Sequence, residues 1–218
     1  MAHVPHIFLP GPFGDEFARL SDQQLGHLSK VLRRSAGSEV SYTDGAGLTG
    51  VGVLDGDVIV RGAEVRVERP ARALCMAVAP PRSKDRARFV VEKLAELGVD
   101  ELRWVRTRFG QSDPPAPEKA LSWAIGALEQ SRGAWLLGIS GPSTIDELER
   151  PVLVADLTGG GAVPPGVSRC TVLVGPEGGF EAGELTPEMI RLRLSDRILR
   201  TETAALVGAF AVLKELAR

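Results

Sequence analysis

A glycine-rich segment with one carboxylate, Gly175-Pro176-Glu177-Gly178-Gly179-Phe180, directly follows the apolar residues 171–174. Glycines at a strand end allow positive φ angles and let a ligand approach the backbone closely, while a proline fixes one φ value. A tight structural turn would explain the same pattern. Further along, residues 197–204 combine two arginines, two threonines and a glutamate, which are side chains that bind anions or move protons. Together the two segments indicate a ligand-binding or catalytic site near the C-terminus.

The common nucleotide-binding motifs do not account for these glycines. The sequence lacks the Gly-x-x-x-x-Gly-Lys-Ser/Thr pattern of a P-loop. A second cluster, Gly159-Gly160-Gly161, lacks the Gly-x-Gly-x-x-Gly spacing of a Rossmann fold, and Pro164-Pro165 stands where the helix of that motif would begin. The pattern therefore disfavours a P-loop enzyme and a Rossmann-type methyltransferase.

The elements that must position this site alternate between strands and helices after residue 70. The unbroken apolar run 73–79 is typical of a strand that is covered on both faces. Helices are predicted at 85–97, 117–131 and 202–217, and further strands at 102–105, 136–139, 152–157, 171–174 and 191–194. This order indicates an α/β domain with a mostly parallel sheet, in which ligands bind beyond the carboxyl ends of the strands. Three such ends lie near the C-terminus, after residues 157, 174 and 194.

Residues 1–70 have a different rhythm, which predicts a small β domain. Short strands at 40–43, 48–54, 58–60 and 63–68 are separated by Gly/Asp turns, as in a barrel or sandwich. A helix that Ser21-Asp22 can cap precedes them, with Gly37 after its end. Arg69-Pro70 is the predicted hinge, so the expected domains are residues 1–70 and 71–218.

Composition limits the environment of the chain. No apolar run is long enough to span a bilayer, residues 1–8 do not resemble a signal peptide, and no Cys/His spacing suggests a metal site. The two cysteines, Cys75 and Cys170, lie in apolar runs, which favours buried reduced thiols and a cytoplasmic location. The net charge is −2, but residues 61–110 carry 12 basic and 7 acidic side chains, a local excess that favours a nucleic-acid partner.

The C-terminal motifs carry a resemblance to a known family. Gly175 to Phe180, followed by Arg197-Ile198-Leu199-Arg200-Thr201-Glu202-Thr203-Ala204, resembles the RsmE family of SPOUT-class methyltransferases, which modify N3 of one uridine in 16S ribosomal RNA. Weaker matches agree in order along the chain: His27-Leu28 with Val31-Leu32-Arg33, Lys93 with Glu96-Leu97-Gly98-Val99, and Glu129-Gln130-Ser131-Arg132. His6, Ser195-Asp196 and Gly133 depart from the family pattern.

The resemblance implies a fold, a cofactor and partners. The fold would be a PUA-like β-barrel for RNA binding over residues 1–70, followed over 71–218 by a SPOUT α/β domain with a trefoil knot. The knot loops would hold S-adenosylmethionine in a bent shape, and no metal is expected. Partners would be 16S ribosomal RNA in the small subunit and a second copy of the chain. In the family the last helix contributes to a homodimer, and here it carries small residues and an apolar stripe that would equally cover the sheet: Leu206, Ala209, Phe210, Leu213 and Leu216. The matching cofactor-binding residues are Leu157, Thr158, Gly159, Gly175, Pro176, Glu177, Gly178, Gly179, Leu194, Ile198, Leu199 and Thr201.

Methylation of uridine N3 requires that the N3 proton be removed or the resulting anion be stabilised. The candidate catalytic residues are Arg200, Glu202, Glu177 and Arg132. Glu202 would equally favour the dipole of the last helix, Glu177 would equally brace its own loop, and Arg132 would equally pair with Glu129 on a helix surface.

The candidate RNA-binding residues are all basic: Arg33, Arg34, Arg82, Lys84, Arg86 and Arg88. A solvated helix start is the alternative for the last four, although cations there oppose the helix dipole. Two other functions remain open from the sequence: a SPOUT enzyme with another target, such as a ribose 2′-OH, and a non-catalytic RNA-binding module.

Overall fold

The structure, a computed structural model, describes residues 4–11, 13 and 16–216. The chain divides into two compact units. The first comprises Met1–Arg69 and Leu128–Leu136, and the second comprises Pro70–Ala127 and Leu137–Arg218. The segment Leu128–Leu136, which the sequence analysis left in the second domain, therefore belongs to the first unit.

A five-stranded sheet forms the first unit. Its strands are β1 (His6–Phe8), β2 (Phe17–Arg19), β3 (Glu39–Thr43), β4 (Leu48–Asp55) and β5 (Val58–Arg66), in the order β1-β3-β4-β5-β2. β1 pairs with β3 in parallel, and the other neighbours are antiparallel. One side carries the buried core, with Ile7, Val40, Tyr42, Leu54 and Ile59 among its residues.

The predicted separate strands 58–60 and 63–68 are wrong, because β5 runs unbroken through Gly62. A register shift between Gly50 and Gly52 of β4 absorbs the irregularity. A β-carbon at Gly62 would lie 2.6 Å from the Val51 carbonyl oxygen. Glycine thus allows the close approach of two strands at the bulge rather than ending a strand.

The predicted helix of the first unit begins as expected and ends earlier. α1 (Asp22–Gly26) starts with a capping box, in which the Gln24 backbone N–H donates to the Ser21 hydroxyl (3.3 Å) and the Ser21 N–H donates to Gln24 Oε1 (2.9 Å). A π-helical turn, His27–Val31, continues it. Arg33 has a φ of 51°, a left-handed conformation that ends the helical segment before Gly37.

The second unit contains a six-stranded sheet whose neighbours are all parallel, which confirms the predicted α/β class. The strands are β6 (Ala73–Val78), β7 (Glu101–Val105), β8 (Gly138–Ser143), β9 (Val152–Ala155), β10 (Arg169–Val174) and β11 (Ile190–Leu192), in the order β11-β9-β10-β6-β7-β8. Leu74, Met76, Leu102 and Leu153 are fully buried, as expected for strands covered on both faces. Cys170 is buried, Cys75 is half-buried, and both are free thiols.

Three longer helices accompany the sheet: α2 (Lys84–Glu96), α3 (Pro117–Ser131) and α4 (Thr201–Leu216). α4 packs against β6, β10 and α2. Its buried face consists mainly of small residues, whereas Phe210 of the apolar stripe is exposed. Over the described residues, no helix has the length and hydropathy that a membrane crossing requires, and no group of three or more potential metal ligands is found there.

Candidate functional site

The carboxyl ends of β9, β10 and β11 surround a cavity of about 460 Å³. These three strands are neighbours in the sheet, so the loops that follow them meet at one edge. The volume lies within the roughly 300–1,000 Å³ that is usual for small-molecule pockets. The position is the one at which open parallel sheets bind their ligands.

The loop after β9 is shaped by Asp156. The backbone N–H and the hydroxyl of Thr158 both donate to Asp156 Oδ1 (2.8 and 2.7 Å), and Arg191 of β11 donates to Oδ2. These hydrogen bonds, the one from the Thr158 hydroxyl foremost, hold the pKa of Asp156 below its ordinary value. The carboxylate is therefore charged at neutral pH and faces the cavity, which Asp156 and Arg191 both line.

The glycine triplet of the same loop packs against β11. The Gly161 N–H donates to the Arg191 carbonyl (3.0 Å), and a β-carbon at Gly159 would lie 2.6 Å from that oxygen. A β-carbon at Gly160, by contrast, would meet no described atom within 4 Å beyond its chain neighbours. Gly159 thus serves a close backbone approach between two loops of the site.

The loop after β10 turns tightly at its glycines. The Gly179 N–H donates to the Pro176 carbonyl (2.9 Å), and Gly179 has a φ of 72°, in the left-handed region that favours glycine. A β-carbon at Gly175 would lie 2.8 Å from the Phe180 ring. The buried Thr201 hydroxyl donates to the Gly175 carbonyl (3.0 Å), which joins the start of α4 to this loop.

The loop after β11 presents an apolar side chain to the cavity. Ile198 of this loop is 85% exposed, and Leu157 of the loop after β9 is 42% exposed, although both line the cavity. The Ser195 hydroxyl accepts from the Arg197 N–H (3.1 Å), and Arg193 pairs with Asp196 (2.9 Å). An isoleucine this exposed beside a cavity indicates a surface that a ligand or another chain covers.

Two carboxylates share one arginine: Glu177 lines the cavity, and Glu202 follows the cavity-lining Thr201. Arg86, in the first turn of α2, lies 3.4 Å from Glu177 Oε1 through a terminal nitrogen and 3.4 Å from Glu202 Oε1 through Nε. Glu177 belongs to the loop after β10 and Glu202 to the first turn of α4. Glu202 Oε2 is buried and has no hydrogen-bond partner among the residues that the structure describes.

Residues 68–213 match the family model of the RNA methyltransferase domain, which covers more than half of the chain. The chain belongs to this RNA methyltransferase family. The whole fold is shared with a probable rRNA-methyltransferase from Porphyromonas gingivalis, with 27% identity, 98% of this chain and 99% of that chain covered, and a TM-score of 0.83. It is also shared with a ribosomal RNA small subunit methyltransferase E from Neisseria gonorrhoeae, solved with S-adenosyl methionine, with 22% identity, 98% coverage of both chains and a TM-score of 0.84.

These matches confirm the predicted family and the predicted SPOUT-type fold with a small β domain before it. They also confirm that the chain is a methyltransferase rather than a non-catalytic RNA-binding module. The alternation of strands and helices predicted the α/β class, and the resemblance of the two C-terminal motifs to the family predicted the SPOUT-type fold and the methyltransferase activity.

Most of the predicted cofactor-binding residues line the cavity of the methyltransferase. They are Leu157, Gly175, Pro176, Glu177, Gly179, Leu194, Ile198, Leu199 and Thr201. Thr158, Gly159 and Gly178 are not among the lining residues: Thr158 turns its hydroxyl to Asp156, Gly159 packs on β11, and Gly178 lies over Phe109. Sequence reasoning missed Asp156 and Arg191, and an aspartate at the end of a buried strand was the available signal.

Arg132 and Glu129, from the Glu-Gln-Ser-Arg segment, hold together parts of the first unit. The Phe8 backbone N–H donates to Glu129 Oε1 (2.9 Å), and Arg132 donates to the Val4 carbonyl (2.5 Å). Burial raises the pKa of Glu129. The alternative of a simple Arg132–Glu129 surface pair is wrong, because each side chain binds the N-terminal segment instead. The catalytic role of Arg132 stays a prediction.

The remaining predicted residues differ in their contacts. Arg200 is exposed, as are Arg33, Arg82, Lys84 and Arg88. Arg82 donates to Gln111 (2.9 Å), and Arg88 pairs with Glu92 on its own helix (2.7 Å). Arg34 is partly buried. The cations at the start of α2 therefore include two, Arg86 and Arg88, that already have carboxylate partners.

Proposed function

We propose that the protein transfers a methyl group from S-adenosylmethionine to N3 of one uridine in small-subunit ribosomal RNA. The observation that carries this proposal is the cavity formed by the three loops after β9, β10 and β11. Membership of the RNA methyltransferase family supports the reaction, and the resemblance of the C-terminal motifs to RsmE supports the target. A substrate of this kind also supports a cytoplasmic location.

The residues around the cavity fit S-adenosylmethionine. When bound, this cofactor supplies an electrophilic methyl group on a positively charged sulfur. The exposed Ile198 and Leu157 offer apolar surface for a flat base. Glu177, which shares one arginine with Glu202, offers negative charge for a cation. The turn at Gly179 lets the cofactor approach the backbone closely. We propose that all the predicted cofactor-binding residues contribute to this binding site.

The methyl acceptor needs a group that takes the N3 proton and groups that stabilise negative charge on the uracil. Glu202 is our candidate base, because Oε2 is a buried acceptor without a partner among the described residues. Arg200, two residues before Glu202, is exposed and is proposed to stabilise negative charge on the uracil oxygens. Glu177 is proposed to face the cofactor, and Arg132 to contact RNA phosphate from a second copy of the chain. The N3 edge is hidden in a base pair, so the target uridine must be unpaired.

The RNA partner is proposed to contact the predicted basic residues. Arg82, Lys84 and Arg88 lie exposed in or near the first turn of α2, and Arg33 and Arg34 follow the helix of the first unit. Arg88 keeps this role because its pair with Glu92 lies on the helix surface, where such pairs are weak. Phosphate contacts position an RNA without reading its sequence. We propose that the β domain of residues 1–70 contributes such contacts.

A homodimer is proposed on the outer side of the second unit. Phe210 of α4 is 59% exposed and Phe89 of α2 is 36% exposed, on two helices that pack together. Large exposed aromatic side chains are enriched where proteins associate. The sequence-based prediction of a dimer came instead from the family resemblance, with the last helix as the contributing element.

The decisive experiment combines binding with product identification. Purified protein is titrated with S-adenosylmethionine by calorimetry, then incubated with undermethylated small subunits, and the RNA is digested for nucleoside mass spectrometry. We expect binding and the appearance of 3-methyluridine. A ribose-methylated product would replace the proposed target with the alternative SPOUT reaction, and absence of cofactor binding would refute the proposal as a whole.

A further inference from the structure

One guanidinium joins three separate segments of the second unit. Arg86 of α2 contacts Glu177 in the loop after β10 and Glu202 in the first turn of α4, each at 3.4 Å. The Arg86 side chain is 35% exposed and that of Glu202 is 13% exposed, so this part of the cluster is largely shielded from water. A planar guanidinium with several fixed donors suits such a shared contact better than an ammonium would.

This arrangement argues against the sequence-based interpretation of Arg86 as a phosphate-binding residue. The three side chains together carry a formal charge of −1, which repels a phosphate. Arg88 differs because its single partner, Glu92, lies one turn away on the same helix and its side chain is 56% exposed. Arg86 thus joins Glu177, which lines the cavity, to the first turn of α4, whereas Arg88 belongs to the helix surface.

The geometry of Glu202 shows what the shared arginine achieves. Oε1 faces Arg86, and Oε2 is buried without a hydrogen-bond partner among the described residues. Leaving a buried acceptor unmatched is costly, so a donor from a bound molecule is expected at this oxygen. The adjacent Thr201 lines the cavity and fixes the start of α4 by its hydrogen bond to Gly175.

We propose that Arg86 is a positioning residue for methyl transfer: it holds Glu202 through Oε1, so that Oε2 receives the N3 proton of the target uridine. This inference rests on the proposed function. The N3–H bond breaks, and the proton passes to Oε2. The electron pair left on N3 forms the new bond to the methyl carbon, while the pair of the broken carbon–sulfur bond stays on sulfur. The proton on Glu202 leaves to solvent before the next cycle.

The test is a double-mutant cycle with Arg86→Gln, Glu202→Gln and the double variant. For each protein, kcat and KM of methyl transfer are measured on the ribosomal substrate. Arg86→Gln is expected to lower kcat about 10- to 100-fold, with KM for RNA changed less than about threefold, because a misplaced group costs rate rather than binding. The double variant should lie within about threefold of Glu202→Gln, since residues that act through one another are not additive. Arg86→Lys keeps the charge but not the planar guanidinium, so it should give an intermediate kcat. This variant separates the positioning role from a folding defect in Arg86→Gln.

Two arginines serve as comparisons. Arg150→Gln removes an exposed pair with Glu188 outside the cavity and should leave kcat unchanged. Arg88→Gln should act on RNA affinity, with a salt slope smaller by about 0.7 for one lost phosphate contact. Hydrogen exchange in the free protein gives a readout apart from activity: Arg86→Gln should speed exchange in residues 175–180 and at the start of α4, and Arg150→Gln should not.

The inference is overturned if the losses in the cycle are additive, if Arg86→Gln raises KM and reduces the salt slope as Arg88→Gln does, or if kcat is unaffected. Failure of the proposed function has a separate signature. In that case the unmodified protein would not bind S-adenosylmethionine or would not methylate the small subunit at all. An active unmodified protein with an additive cycle would refute only the role of Arg86.

Discussion

Replacing Gly159 by alanine tests whether close contact between two loops builds the cofactor cavity. The added β-carbon would lie 2.6 Å from the Arg191 carbonyl oxygen, 2.7 Å from the Arg191 carbonyl carbon and 2.9 Å from the Arg193 nitrogen. All three are backbone atoms, so no side-chain rotation relieves the overlap. Gly160→Ala is a matched control, because its β-carbon would meet no described atom within 4 Å beyond the chain neighbours.

The magnitude follows from the distances. Ordinary contact begins at 3.4 Å, so the loop after β9 must move away from β11 by about 0.8 Å. Overpacking of this size costs roughly 1–3 kcal/mol in the folded state. A shift of about 2–4 °C per kcal/mol is usual for chains of this length, which predicts a Tm lower by about 2–12 °C. The displaced loop relieves the overlap in the free protein. If the cofactor binds only when the loop returns to its original position, binding restores the overlap, and cofactor affinity falls about 5- to 150-fold.

The assay is thermal unfolding together with calorimetric titration of S-adenosylhomocysteine, for both variants and the unmodified protein. Gly160→Ala should bind with unchanged affinity and be as stable as the parent or slightly more stable, since alanine restricts the unfolded chain. The reasoning is refuted if Gly159→Ala binds the ligand with the parent's Kd, or if Gly160→Ala loses as much affinity.

Three further outcomes are expected. Ile198→Ala should weaken S-adenosylhomocysteine binding about tenfold while Tm stays within about 1 °C, because the side chain is 85% exposed and available to the ligand; a lowered Tm with normal binding would contradict this. Burial lowers the pKa of His6 below its ordinary value of 6.5, so the folded state disfavours the protonated imidazole, and stability is lost as the pH falls below 6.5. His6→Gln should therefore flatten the decline of Tm between pH 7 and 5. Parallel declines of Tm in the variant and the unmodified protein would count against this role. Phe210→Asp should convert the proposed dimer to a monomer in light scattering, and an unchanged mass would remove this face as the interface.

The elements that sequence predicted well are those whose signals are local. α3 runs from Pro117 to Ser131 as predicted, since a proline favours the first helical turn and the apolar period continues to the end. β1 and β2 have three residues each, too few for a period of two to be recognised. They exist because of pairing with distant strands, such as His6 with Ser41, which the sequence does not display.

The candidate site likewise has features with a local sequence signal and features that depend on distant residues. The glycine loops after β9 and β10 were predictable, because strand ends and glycines lie next to each other in the sequence. The role of Arg86 was not, because an arginine in a helical first turn is typical of a solvated surface, and Glu177 is 91 residues away. Contacts of that range are decided by the order of strands in the sheet, and the sequence order of β9, β10 and β11 differs from their order in space.

The size of the residues in α4, rather than the hydrophobicity of its apolar stripe, decides how this helix serves the site. A β-carbon at Gly208 would lie 3.3 Å from a Leu194 methyl group and 3.4 Å from a Val172 methyl group, so the helix packs closely on these two side chains at its glycine. Leu194 also lines the cavity, which means that the seat of the helix and the wall of the cavity share a side chain. Because a helix moves as a rigid element, the close contact at Gly208 also fixes its first turn, where Thr201 and Glu202 reach the loops. Exposed Phe210 then remains on the outer face, where it does not affect this distance.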